Sequence, residues 1–324
     1  MKQRIVIAFS GGADSTALLH HALATGNEVT AITVDHALRE ESAVEAAQCA
    51  EYAESLGANS IVLRWQHDGV ESNIQKRARN ARYGLMGDWC RENGVSEIWT
   101  GHHYDDMLET VYMREPKGYT PISIAGMSER TYAPVWPELR DIFIVRPFLN
   151  KTHEMLVNYC LLNDLKWVED PSNNSDKYER NRARKVLNSN PFARRKAEKS
   201  LSINKKLASK DIDYYDKCLK KAVFKDGYVT IESDMMKNNT QSFGNFIRCL
   251  VMAQTSRSVE PGLKSYNNIV QMWKSGGNTF TLANSLITIS DGEIIVEARK
   301  MKKGQKPVSI CDHFKKRMEM RYIR

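Results

Sequence analysis

The stretch Ile5-Val6-Ile7-Ala8-Phe9-Ser10-Gly11-Gly12-Ala13-Asp14-Ser15 decides the fold. Five consecutive apolar residues are of strand length, and Ala17, Leu18, Leu19, Ala22 and Leu23 then recur at helical spacing. The Ser/Gly segment between them is a turn from a strand into a helix. The alternation continues downstream, with strands over 29–34, 61–63 and 97–100 and helices over 41–57 and 74–93. Such alternation predicts an α/β, Rossmann-like architecture: a parallel sheet with helices on both faces. Ligands of these sheets bind beyond the carboxyl ends of the strands. The segments after Phe9, Val34, Leu63 and Thr100 are therefore expected to converge on one crevice.

Residues 114–141 hold four prolines and no sustained period, which predicts a long loop over that crevice. A strand at 142–145 and a helix at 151–162 follow, and Asp170-Pro171-Ser172-Asn173-Asn174 reads as a break. A basic helical stretch then runs to about Phe224. Residues 228–298 mix a strand, helices near 242–253 and 262–273, and short strands around Phe280, Ile287 and Ile295. The expected organisation is a catalytic domain over 1–187, a helical linker over 188–225, a small α+β domain over 226–298 and a basic tail over 299–324.

The 324 residues carry 47 Lys+Arg against 39 Asp+Glu, and the excess is local. Residues 299–324 hold ten basic and two acidic residues, residues 176–221 fifteen and six, and the remainder is net acidic. Two basic districts on an acidic body suit a polyanionic partner, although solvated helix faces give the same count. No run approaches the roughly 18 apolar residues of a spanning helix, and no signal-peptide pattern follows Met1. A cytoplasmic protein with no membrane partner is expected. The six cysteines lie far apart without a C-x-x-C pair, which argues against a zinc knuckle or a disulfide framework.

The chemistry starts at the glycines. They let backbone N–H groups approach an anion, the helix N-terminus adds a favourable dipole, and two serines add hydroxyls. Ser10, Gly11, Gly12, Ala13, Asp14 and Ser15 thus read as a phosphate cradle, with neither the lysine of a Walker loop nor the spacing of a dinucleotide loop. Asp14 beside phosphates implies a Mg2+ ion between them. In Gly101-His102-His103-Tyr104-Asp105-Asp106-Met107-Leu108-Glu109-Thr110, acids fall at i, i+1 and i+4 of a predicted helix. Acids in a first helical turn also simply compensate the helix dipole. Arg77, Arg79 and Arg82 on one helix suit phosphate contact, or a solvated basic face. Isolated His20, His21, His67, His153 and His313 show no metal-ligand spacing and read as surface or core residues.

The hexapeptide is identified as the pyrophosphate loop of the N-type ATP pyrophosphatases. Together with Val34–Arg39, Asn73–Tyr83, Gly101–Thr110, Arg146–Leu149 and Trp167–Arg184, it resembles the tRNA(Ile)-lysidine synthetase family over residues 1–187. Residues 228–298 are similar in pattern to that family's first C-terminal domain. The resemblance implies an adenine nucleotide alpha hydrolase-like fold, ATP as substrate, Mg2+, free L-lysine, and an isoleucine tRNA with a CAU anticodon. The wobble cytosine O2 would attack the α-phosphate and release pyrophosphate, and the lysine ε-amine would then displace AMP at C2 to give lysidine. No protein nucleophile is needed. His103, Asp106 and Glu109 would serve lysine and the reacting base, and Asp35 the magnesium or lysine. Arg180, Asn181 and Arg184 match the family's element near the active site and the tRNA, and Arg77 is a candidate, from its helix face alone, for substrate or tRNA phosphate contact. Longer members continue into a second C-terminal domain, so a short form is expected, with 299–324 in that place. Arg114-Glu115-Pro116-Lys117-Gly118 replaces the family's usual glycine-rich turn, while Ala125-Gly126-Met127 restores its pattern. The oligomeric state stays open, a homodimer included. Three alternatives remain: a tRNA 2-thiolation enzyme with the same loop, an amide-forming adenylase, and a non-catalytic tRNA-binding module.

Overall fold

The computed structural model describes residues 4–67, 73–135, 137–169, 175–225, 228–238, 240–254 and 261–298. The expected break at 170–174 and the basic tail over 299–324 lie outside the described residues. The chain divides into two compact units, Met1–Glu109 with Met127–Asn190, and Thr110–Gly126 with Pro191–Arg324.

The first unit runs β1 (Arg4–Ala8), α1 (Ala13–Ala24), β2 (Glu28–Asp35), α2 (Ser42–Ser55), β3 (Asn59–Arg64), α3 (Ile74–Glu92) and β4 (Glu97–Trp99). Helix α4 (Tyr104–Arg114) begins in this unit, the chain passes through α5 (Pro121–Ala125) in the second unit, and β5 (Arg130–Tyr132), β6 (Phe143–Val145), α6 (His153–Leu162) and α7 (Glu179–Ser189) return to the first. The sheet order is β3-β2-β1-β4-β6-β5, parallel throughout except that β5 runs antiparallel to β6. Strand β1 is central, pairing Ile7 with both Ala31 and Trp99. Both its faces are buried, which explains an unbroken apolar run rather than an alternating one. Ile5 and Ile7 pack with Leu18, Leu19, Leu156 and Cys160, while Val6 packs with Ile98, Tyr83 and Met86. Burying one such isoleucine contributes about 2 kcal/mol. From β1 the strand order departs to β2 on one side and to β4 on the other, and a crevice opens at such a switch point.

The expected loop over 114–141 is instead partly regular. A 3-10 turn covers Glu115–Lys117, α5 follows, and β5 joins the sheet edge. Pro121 sits in the first turn of α5, where a missing N–H costs nothing, so it starts a helix rather than breaking one.

The second unit contains α8 (Pro191–Lys221), β7 (Val223–Lys225), β8 (Tyr228–Glu232), α9 (Asp234–Asn238), α10 (Thr240–Gln254) and α11 (Leu263–Lys274). Strands β9 (Thr279–Leu282), β10 (Ser285–Ser290) and β11 (Glu293–Ala298) complete an antiparallel sheet of order β7-β8-β11-β10-β9. Helix α8 differs from the linker expected at 188–225, because Tyr215, Cys218 and Leu219 are buried with Phe243, Phe246 and Leu250 in this unit's core. Segment 110–126 belongs here for polar reasons. Buried Arg248 donates to the Gly118 carbonyl at 2.8 Å and the Pro261 carbonyl at 2.7 Å, and Ser200 donates to Glu115 at 2.6 Å. Among the described residues no helix is long and apolar enough to cross a membrane.

Candidate active site

The turn between β1 and α1 has the geometry of an anion cradle. Gly11 holds φ +72°, and a Cβ there would lie 2.7 Å from the Cys49 Sγ, so both conformation and space require glycine. Ser15 Oγ donates to the Gly12 carbonyl at 3.0 Å and accepts the Ser10 N–H at 3.3 Å, while Val168 N–H ties down the Gly11 carbonyl at 2.9 Å. The end of β4 presses against this turn. A Cβ at Gly101 would lie 2.9 Å from the Asp14 backbone, so glycine permits the approach that brings 102–109 to the loop.

Two polar clusters result. On the loop side, Asp14 Oδ1 lies 2.9 Å from His153 Nδ1, and Oδ2 lies 3.5 Å from His103 Nε2. Asp105 Oδ2 accepts the His153 backbone N–H at 2.7 Å, and Asp106 Oδ2 accepts that of His103 at 3.0 Å. On the α7 side, Arg180 donates to Asp106 Oδ1 at 2.8 Å and to Glu109 Oε2 at 2.6 Å, and Arg184 donates to Glu109 Oε1 at 2.7 Å. Glu109 is only 1% exposed.

Adjacent histidines face opposite charges. Burial lowers the pKa of His103, but Asp14, Asp106 and Asp105 outweigh it, so the imidazolium is favoured above its ordinary range. His102 is pushed down to about 3 by burial, against the pull of Asp106 and with the help of Arg146, Arg180 and Arg79. It is a neutral imidazole, 2.8 Å from the Thr100 hydroxyl. Burial disfavours the Asp14 carboxylate, yet hydrogen bonds from His103 and His153 hold it well below the usual range. Asp106 is likewise held low, with Arg180 and His103 overcoming burial.

The structure thus gathers Ser10, Gly11, Gly12, Ala13, Asp14 and Ser15 with His103, Asp106, Glu109, Arg180 and Arg184. Asn181 instead donates to the Ser175 carbonyl at 2.9 Å and so pins the approach to α7. Asp35 ends β2, accepting the Ala37 N–H at 2.8 Å and lying 3.5 Å from Arg64, away from the Asp106–Glu109 pair's own partners. Arg77 is exposed on α3, whereas Arg79 and Arg82 of that helix stack on the Tyr83 ring at 4.8 and 5.5 Å. The sequence marks His153 only as a surface or core residue and gives His102 no role of its own, whereas the fold sets the first against Asp14 and the second beside Thr100. Spacing offers no signal for the first, which meets Asp14 from 139 residues away. Its helix start was legible, because Thr152 caps α6 by accepting the Met155 N–H.

Mg2+ takes oxygen ligands and usually completes its shell with water and phosphate. Asp14 can supply one such oxygen, but its neighbours are two imidazoles, and that donor set fits Mg2+ poorly.

A profile of the PP-loop domain family matches residues 1–190, and the chain belongs to that family. Over this region it is similar to curated tRNA(Ile)-lysidine synthases, which bears out the resemblance read from the motifs. Identity is 37% over 190 residues with the enzyme of Orientia tsutsugamushi (strain Boryong), covering 57% of this chain and 42% of the relative. It is 38% over 190 residues with that of Wolbachia pipientis wMel, covering 57% and 43%. For Ruegeria pomeroyi it is 37% over 190 residues, covering 57% and 44%. The matched region therefore spans under half the length of these relatives. A solved tRNA thiolase from Methanococcus maripaludis aligns with a TM-score of 0.49 at 14% identity over 63% of this chain and 71% of its own, too loose a likeness to weigh between activities.

Proposed function

We propose that this chain ligates lysine to C2 of the wobble cytidine of a CAU-anticodon isoleucine tRNA, at the expense of ATP cleaved to AMP and pyrophosphate. One observation carries the reading: a buried acidic pair, Asp106 and Glu109, stands beside the phosphate cradle and is paired with the guanidinium groups of Arg180 and Arg184 and, through Asp106, with His103. A pocket of that charge suits a second cationic substrate. The backbone N–H groups of the loop and the hydroxyls of Ser10 and Ser15 hold the ATP phosphates, and Asp14 with His103 orients the nucleotide side. The lysine ammonium displaces Arg180 from the carboxylates, which then take its proton so that the neutral amine attacks C2. The freed guanidinium turns to a tRNA phosphate, together with the basic residues of 176–221 and 299–324.

Thiolation through a persulfide fits less well. Burial pushes the thiols of Cys90 and Cys218 up to about 12 and that of Cys160 up to about 11, and it raises that of Cys49 beside the loop, so these four are poor thiolates near neutral pH. The test is incubation with ATP and labelled lysine on the CAU-anticodon transcript. Label is expected in the tRNA with one AMP released per lysine. Sulfur incorporation without lysine would overturn the assignment.

A further inference from the structure

We propose that Asp14, His103 and His153 form a site for a borderline divalent cation of the first transition row, Zn2+ being the type case, in preference to Mg2+. One ligand atom from each residue lies within 4.8 Å of the other two. Asp14 meets the two imidazoles through different oxygens, Oδ1 at 2.9 Å from His153 and Oδ2 at 3.5 Å from His103, so its carboxylate stands between them at separations close to those of neighbouring ligands around an ion bound at about 2.1 Å. Two imidazoles and one carboxylate are donors that Zn2+, Co2+ and Fe2+ accept and that Mg2+ seldom does.

A second observation concerns the back of the His103 ring. Its Nδ1 is buried and makes no hydrogen bond among the described residues, while Asp105 Oδ2 stands 3.7 Å away. A carboxylate behind a ligating imidazole is the usual device for fixing its tautomer and leaving the other nitrogen to the metal. The same Asp105 oxygen accepts the His153 backbone N–H at 2.7 Å, so one side chain positions both imidazoles. His103 is buried, whereas His153 and Asp14 reach solvent, which leaves coordination positions open on the side of the phosphate cradle. Three protein ligands with open positions are the pattern of a reactive rather than a structural site. The competing account is that the imidazoles merely ion-pair with Asp14.

Nothing here depends on lysine or tRNA as substrates. The metal-stripped full chain, free of nucleotide, is titrated with Co2+ and followed by its visible d–d absorption. One equivalent is expected to bind, Zn2+ to displace it, and a large excess of Mg2+ to leave it in place. His153→Ala, at an exposed position that folding tolerates, is expected to weaken Co2+ at least about tenfold. His20→Ala, another imidazole of the same unit, leaves it unchanged. Absence of the band in the native chain, equal affinity in His153→Ala, or ready displacement by Mg2+ would each overturn the site and leave the ion-pair account.

Discussion

Asp14 and Asp106 both flank His103 and both ionise more readily than an ordinary aspartate, yet they are held by partners of different kinds. Asp14 is held by the imidazoles of His103 and His153. Asp106 meets His103 as well but is bound by Arg180, and Glu109 by Arg180 and Arg184, whose guanidinium charge is not lost at any ordinary pH. An imidazole can change its charge near neutral pH, so the loop side is the more adaptable of the two, which suits the proposed binding of a nucleotide. The α7 side is fixed in charge, which suits the proposed exchange of one cation for another.

The strongest way to break this division is to remove an acid from each side. Glu109→Gln is expected to lower lysine incorporation by on the order of 100-fold or more while slowing pyrophosphate release far less. Asp14→Asn lowers both together, because no adenylate forms. Measuring the two products separately decides the matter, and an equal loss of both in Glu109→Gln would merge the two sides into one. Loss of stability does not account for the first result. Arg180 and Arg184 are each more than a third exposed, so breaking their pairs with Glu109 costs about 1–2 kcal/mol rather than the 3–5 of a fully buried pair.

The loop side was the more legible of the two in the sequence. Ser10 to Ser15 is contiguous, and a strand before it and a helix after it leave one conformation open to the two glycines. The same locality made Asp106 and Glu109 readable, since one helical turn brings them together. His153 was not readable, because its meeting with Asp14 depends on α6 packing beside α1, through Leu156 and Cys160 against Leu18 and Leu19. The contrast between His102 and His103 was equally hidden. It is set by the backbone path of 100–103 between β4 and α4, which no periodicity describes. The regular structure within 114–141 was obscured by its prolines, one of which opens a helix.

The next effect in size probes the loop's backbone. Gly11→Ala forces an alanine to φ +72° and sets its Cβ 2.7 Å from the Cys49 Sγ. The conformation costs about 1–2 kcal/mol and the overlap about 1–3 more. Denaturant unfolding of the single variant and of Gly11→Ala with Cys49→Ala separates the two. The double variant is expected to regain the overlap share only. Full recovery would mean that the backbone can leave the left-handed region, and that the cradle is not set by glycine.

Arg180 sharpens the other side. If its guanidinium leaves the carboxylates for a phosphate when tRNA binds, Arg180→Ala lowers the salt slope of tRNA affinity by about one. The affinity itself falls by roughly tenfold at low salt. An unchanged slope would keep Arg180 on Asp106 and Glu109 in the complex, and lysine would then have to share those carboxylates.

The smallest effect is a difference in how stability follows pH. His103 is raised above its ordinary 6.5 in the fold, so the stability it contributes is complete below 6.5 and is lost as pH rises through the folded value. Asp14 is lowered from 3.8, so its contribution is present above 3.8 and is lost as pH falls through the folded value. Both are fully present only between about pH 4 and 6.5. Asp106 is also lowered, but its partner Arg180 is raised further above its already high ordinary value, so the α7 side loses nothing on the alkaline arm. The neutral His102 adds the opposite trend below about pH 7, so the loss is read above it: the native chain should lose a few degrees of Tm between about pH 7 and pH 9 through the loop side. In Asp14→Asn that loss shrinks without vanishing, because Asp105 and Asp106 still face His103 at 3.7 Å. In Glu109→Gln it keeps its native size. Parallel alkaline losses in the native chain and Asp14→Asn would mean that His103 draws its charge from Asp105 and Asp106, and the line between the two sides would then run through Asp106 rather than beside it.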